Sequence, residues 1–159
     1  MFDPLSKPGS LVRRLHQVSV RLFESHTTGL CLSAVQFGAL QVVAGNSGID
    51  QASLTVAADV DRTTAVRVVD RLVELGLVTR EVCDQDRRVR RIHITKAGLK
   101  HITATTCAAD LSQAALLAPL DPEEQKEFMR LLRHLVVSHT EMGNALHDAK
   151  SNQLSKEKL

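Results

Sequence analysis

No stretch of this 159-residue sequence stays apolar for the roughly 20 residues that a membrane-spanning helix needs, although hydrophobic residues make up 43% of it, enough for a core. The start, Met1-Phe2-Asp3-Pro4, lacks the basic and apolar regions of a secretory signal. A cytoplasmic location with no membrane partner is the expectation. Cysteine is scarce: Cys31, Cys83 and Cys107 are an odd number, widely spaced, with no C-x-x-C pair. Neither a disulfide framework nor a zinc ribbon is indicated. Buried or incidental thiols are the ordinary reading, since a redox-sensing thiol needs a lowered pKa. The sequence has no G-x-S-x-G, G-x-G-x-x-G, P-loop or H-E-x-x-H. No enzyme is expected. His134 and His139 do not share a helix face, so no metal or other cofactor is expected either. No internal repeat is present.

What is present is a concentration of charge. The formal net charge is only +2, yet from Arg87 to His101 there are six Lys or Arg residues and no Asp or Glu. Such a cluster attracts a polyanion even when the whole chain is nearly neutral. The competing reading is a solvated edge that keeps a strand from aggregating, and the surrounding elements decide between the two.

Residues 10–27 read as a helix, with Leu11, Leu15, Val18 and Leu22 on one apolar stripe and His16, Ser19, Phe23 and His26 on the next. Ser33, with Gln36 three residues on, is a capping box that opens a helix from Ala34 to about Ala44. "GNSG" is a turn. A short helix using Leu54, Ala57 and Ala58 runs into "DVD", and Asp61 caps another helix whose buried face is expected to be Val66, Val69, Leu72 and Val73. Gly76 ends that helix. The period then falls to about 2: Leu77–Arg80 and "VRRIHIT" are the arms of a hairpin, with "DQD" as turn chemistry. A helix runs from Lys96 to about Ala118, Pro119 breaks it, and Asp121, Pro122 and Glu124 restart it. Phe128, Leu131, Leu132, Leu135, Val136, Met142 and Leu146 form its apolar stripe. The polar stretch from Lys150 is expected to be disordered.

Arg62, Thr63, Thr64 and Arg67, at the start of the helix capped by Asp61, are the residue types a DNA major groove selects. Arginine pairs bidentately with guanine, and threonine bonds a base or meets a thymine methyl. Taken alone, this is an ordinary capped surface helix. Followed by an arginine-rich hairpin whose tip reaches a narrow, strongly negative minor groove, it reads as a DNA-binding unit.

The segments "LSAVQFGAL", "LTVAADVDRTTAVRVVDRLVELGLVTR", "DQDRRVRRIHIT" and "KAGLKHI" resemble the MarR family of winged helix-turn-helix transcriptional regulators, over about Leu11 to His139. The resemblance implies a mainly α fold with a small β-hairpin wing: a winged helix-turn-helix domain plus a dimerisation region formed by the terminal helices. It divides the chain into a first dimerisation helix (1–31), a DNA-binding lobe (32–96), C-terminal dimerisation helices (97–148) and a tail (149–159). It implies a homodimer on double-stranded DNA with a pseudo-palindromic operator. The recognition helix would be about Arg62 to Leu75. Asp86 would position Arg88 in the minor groove. Arg87 and Arg90 are further candidate DNA contacts, although Arg90 and Arg91 are additions to the family's wing pair, one of them suited to a phosphate. The role of Arg91 is left open between phosphate contact and support of the strand. The dimer is also expected on physical grounds, because two apolar terminal helices exceed what one small lobe covers.

The resemblance further implies a repressor that answers to a small-molecule effector, often an aromatic acid. On the first helix Arg14 and Arg21 share a face and suit a carboxylate. His16, Ser19 and His26 suit a ring hydroxyl. Singly, each is an ordinary solvated charge or a satisfied interface residue. Together they make an aromatic carboxylate or its thioester the expected effector. A thiol-based redox switch, or no effector at all, is the alternative.

Overall fold

The computed structural model describes the backbone of residues 6–83 and 89–156 and the side chains of 6–83 and 89–140. The elements are α1 (Pro8–His26), α2 (Ala34–Gly45), β1 (Ile49–Asp50), α3 (Gln51–Ala57), α4 (Arg62–Glu74), β2 (Val78–Val82), β3 (Arg90–Ile94), α5 (Lys96–Leu117) and α6 (Pro122–Lys156). The mainly helical expectation is met. The chain divides into two compact units, Met1–Leu116 and Leu117–Leu159.

The expected hairpin is part of a three-stranded antiparallel sheet of order β1-β3-β2. Ile49 faces Ile92 and Asp50 faces Arg91, while Val78 faces Ile94 and Arg80 faces Ile92. Strand β1 was not anticipated, because two residues carry no readable alternation. The core of the first unit joins Leu40 and Val43 of α2, Leu54 of α3, Val69 and Leu72 of α4, Val78 of β2 and Ile92 of β3, all at most 2% exposed. At about 25 cal/mol per Å² of apolar area, this contact of three helices with one sheet face is what holds the lobe together.

Local capping behaves as the sequence states. Ser33 Oγ accepts from Gln36 N at 3.3 Å, and Gln36 Oε1 accepts from Ser33 N at 2.9 Å. Helix α4 ends in a Schellman motif: Gly76, at φ +69, donates to Val73 O, and Leu77 donates to Leu72 O. The buried face of α4 differs from the expected one. Ala65, Val68, Val69 and Leu72 are buried, whereas Val66 and Val73 are 38% and 39% exposed. Apolar residues at 65, 66, 68, 69, 72 and 73 fit two overlapping stripes. Packing selects the one that begins at the small Ala65. On α3, Leu54 is buried but Ala57 is exposed.

The junction of the sheet with α5 is tight. Thr95 Oγ1 donates to Gly76 O at 2.8 Å and lies 3.0 Å from Leu77 O, Thr95 N donates to Leu77 O at 3.0 Å, and Gly98 N donates to Thr95 Oγ1 at 3.0 Å. A β-carbon on Gly98 would lie 2.2 Å from Leu77 O and 2.6 Å from Ile94 Cδ1. The glycine is there because α5 passes too close to the sheet for any side chain.

In the second unit Asp121 Oδ1 accepts from Glu123 N and Glu124 N, both at 2.9 Å, and Glu124 Oε2 accepts from Asp121 N at 3.0 Å, the expected capping box. Gln125 Nε2 donates to Leu120 O at 2.9 Å across the break at Pro119. The stretch from Lys150, expected to be disordered, is helical through Lys156. Residues 149–156 contain neither Pro nor Gly, and Ala149, Lys150, Gln153, Leu154 and Lys156 are good helix formers.

Gly98→Ala is expected to force α5 off the sheet and to cost about 1–3 kcal/mol, lowering the thermal midpoint by several degrees. A midpoint equal to that of the unsubstituted protein in a thermal melt contradicts the close approach.

Candidate nucleic-acid interface

Helix α4 buries one side and turns the other outward. Its N-terminus is fastened by Asp61, whose carboxylate accepts from Thr64 N at 2.9 Å and from the Thr64 hydroxyl. These two bonds, the hydroxyl first, hold the Asp61 carboxyl below the usual carboxylate range. The unfolded chain therefore binds the proton more readily. The stabilisation is complete above the ordinary carboxylate value and is lost as pH falls through the depressed one. Past the cap, Arg62, Thr63, Val66 and Arg67 are exposed and lie one helical turn apart in pairs, forming one outward stripe over the first two turns. Thr64 is half-buried and gives its hydroxyl hydrogen to Asp61, which sets it apart from the stripe.

The arginine cluster is divided by the pleat of β3. Alternate residues face opposite ways, so Arg90 shares a face with Ile92 and Arg91 points to the other side. Arg90 reaches a cleft of about 500 Å³ between α3, α4 and β3, whose lining includes Arg62, Val66, Val89 and Arg90. Arg91 instead donates from Nη1 to Gly48 O at 2.9 Å, while Gly48 N donates to Ile92 O at 2.9 Å. Of the two roles left open for Arg91, this bond fits the brace between β3 and the turn before β1. Arg80 of β2 is paired with Asp70 of α4, tying the hairpin to the outward face of the helix. Neither pairing was visible in sequence, because the partners are far apart along the chain. Asp86, Arg87 and Arg88 lie outside the described residues.

On α1, Arg14, His16, Arg21 and His26 are exposed and Ser19 is half-buried. His26 Nδ1 lies 2.8 Å from Leu22 O and donates to it, closing the helix end. Phe23 is buried with its ring 5.8 Å from that of Phe37, and it leaves the polar stripe for the core. None of the five polar residues lines the cleft beside α4 or the open groove of about 660 Å³ along Ile102, Thr106, Cys107, Asp110 and Leu111 of α5. Two features of α5 went unread in the sequence. One is this groove. The other is His101 Nε2, which is buried with no hydrogen-bond partner among the described residues. Such an atom costs about 1–3 kcal/mol until something bonds it. Of the thiols expected to be buried or incidental, Cys31 and Cys107 are exposed, Cys83 is half-buried, and no disulfide forms among the described residues.

A recognition helix beside a basic hairpin on a three-stranded sheet defines a winged-helix DNA-binding protein. The description "MarR family" matches residues 32–89. The chain is 30% identical over 129 residues to the transcriptional regulator HosA of Escherichia coli, covering 78% of this chain and 95% of HosA. It is 36% identical over 99 residues to a transcriptional regulatory protein for the hcr operon of Thauera aromatica, covering 62% of this chain and 60% of that protein's length. The solved structure of PcaV from Streptomyces coelicolor in complex with its natural ligand superposes with a TM-score of 0.78 at 28% identity, covering 86% of this chain and 96% of PcaV. The chain belongs to the MarR family. It is a transcriptional regulator of that type with a DNA-binding winged helix, and the relatives it matches are regulators rather than enzymes. No helix among the described residues is long and apolar enough to cross a membrane.

The two neighbouring arginines are expected to separate experimentally. Arg90→Ala should weaken binding to duplex DNA and lower the log–log salt slope by about 0.9, one phosphate contact. Arg91→Ala should leave that slope unchanged and cost about 1 kcal/mol of stability through the lost bond to Gly48. Equal effects of both on the slope would contradict the division.

Proposed function

We propose that the protein is a homodimeric repressor that holds a pseudo-palindromic operator and is released from it by a small aromatic carboxylate or its thioester. The observation that carries the DNA half of this reading is the outward stripe Arg62-Thr63-Val66-Arg67, flanked across a cleft by Arg90. Supporting the dimer, Leu131, Leu135 and Val136 of the apolar stripe of α6 are 46–58% exposed in the single chain. A second copy is the natural cover for such a stripe. Two recognition helices related by a two-fold axis would meet half-sites about 34–36 Å apart.

The effector half draws on chemistry at the first helix. Arg14 or Arg21 would pair with the carboxylate, and His16, Ser19 or His26 would orient a ring substituent. His101 Nε2, buried without a hydrogen-bond partner among the described residues, is a further polar atom of the same unit. PcaV, with which the chain shares its architecture, holds its natural ligand in the solved complex. Release requires only that the ligand prefer a spacing of the recognition helices that the operator does not fit.

Fluorescence anisotropy on a selected duplex, with and without a panel of aromatic acids and their thioesters, tests both halves. The expected result is a 5–150-fold loss of DNA affinity, equivalent to about 1–3 kcal/mol of coupling, that Arg21→Ala or Arg14→Ala diminishes. Ligand binding with DNA affinity unchanged contradicts the release mechanism. Ligand binding that survives every first-helix substitution contradicts the site.

A further inference from the structure

Val66 was expected in the core and stands outside it, 38% exposed, on the outward stripe of α4. A lone exposed valine is ordinary on a protein surface. Val66 is not in ordinary company. It lies one turn after Arg62 and Thr63 and directly before Arg67, and it forms a wall of the cleft that Arg62 and Arg90 also line, together with Asp50, whose carboxylate is engaged in capping α3. An apolar side chain set among arginines on a basic face is placed against a polyanion that itself carries an apolar group.

We propose that Val66 is a specificity-determining residue of this interface, its γ-methyl groups reading the 5-methyl group of a thymine in the major groove. The inference rests on the DNA-binding reading above and deepens it. Among the edges that the four base pairs display in the major groove, the thymine methyl is the apolar feature, whereas guanine, adenine and cytosine offer donors and acceptors. Valine against any of those edges would strip water from a polar atom and return no hydrogen bond. Against thymine it buries methyl on methyl. Position selects Val66 over the other exposed valines. Val73 is equally exposed at 39% but lies in the last turn of α4, far from the helix N-terminus and beside the Arg71–Glu74 ion pair. Val56 is 82% exposed but belongs to α3. A recognition helix meets base edges with its N-terminal residues, and Val66 is there.

The test pairs a protein deletion with a DNA deletion. Duplexes are first enriched by the full-length protein from a random pool about three helical turns long. Each thymine of the enriched sequence is then replaced in turn by deoxyuridine, which removes only the 5-methyl group. For the unsubstituted protein, one thymine in each half-site should be sensitive, at about four-fold in affinity per methyl group lost. Val66→Ala should bind the thymine duplex more weakly by a similar factor and should no longer distinguish thymine from deoxyuridine there. Val73→Ala should keep the full sensitivity. Alanine is the stronger helix former and Val66 is exposed, so the thermal midpoint of Val66→Ala should not fall. If Val66→Ala retains the sensitivity of the unsubstituted protein, or if no thymine is sensitive, the inference is overturned while the DNA-binding reading stands. If no duplex is enriched at all, both fall.

Discussion

The structure depends most on the junction where Thr95 closes the sheet against the end of the recognition helix. One threonine hydroxyl, bonded to the carbonyl of Gly76 and adjacent to that of Leu77, accepts the amide of Gly98. The turn after α4, the residue before β2, the residue after β3 and the first turn of α5 therefore meet within one hydrogen-bonded knot. The bare α-carbon of Gly98 lets α5 enter it. The consequence is functional. On the proposed reading the face of α4 and the base of the wing reach DNA together, and this knot, with the Arg80–Asp70 pair, fixes how one stands relative to the other.

Charge on this molecule is a matter of placement rather than amount. A chain of formal net charge +2 has no general attraction for nucleic acid. The pleat of β3 sorts its arginines into different tasks. Arg90 goes toward the cleft beside α4, and Arg91 goes to a carbonyl in the turn before β1. Arg80 neutralises Asp70, the carboxylate nearest the centre of the outward face of α4. What is left turned outward on the first two turns of α4 is positive or uncharged, while Asp61 is occupied as a cap.

Much of this was legible in the sequence, and the reason differs by feature. Caps are local: Ser33 with Gln36, Asp61 with Thr64, and Asp121 with Glu124 each lie within one turn. Their residue types nearly dictate the geometry. The change of period after Gly76 marked the hairpin for the same reason. The misreadings come from competition or from distance. Val66 and Val73 fit the helical period as well as Ala65 and Val68 do, and only the packed core chooses between the stripes. Strand β1 exists because β3 supplies its partner more than forty residues away, and Arg91 finds Gly48 by the same route. The polar residues of α1 were legible as a stripe, but a helical wheel does not say which cavity, if any, a stripe lines.

The central claim is that one continuous surface, the first two turns of α4 with the base of β3, meets the DNA. Hydrogen–deuterium exchange of the full-length protein, alone and saturated with an enriched duplex, measures this directly. The account predicts slowed exchange at the amides of Arg62, Thr63, Val66 and Arg67 and of Val89 and Arg90, with those of α1 unchanged. Protection of α1 with none along α4 and β3 would contradict it.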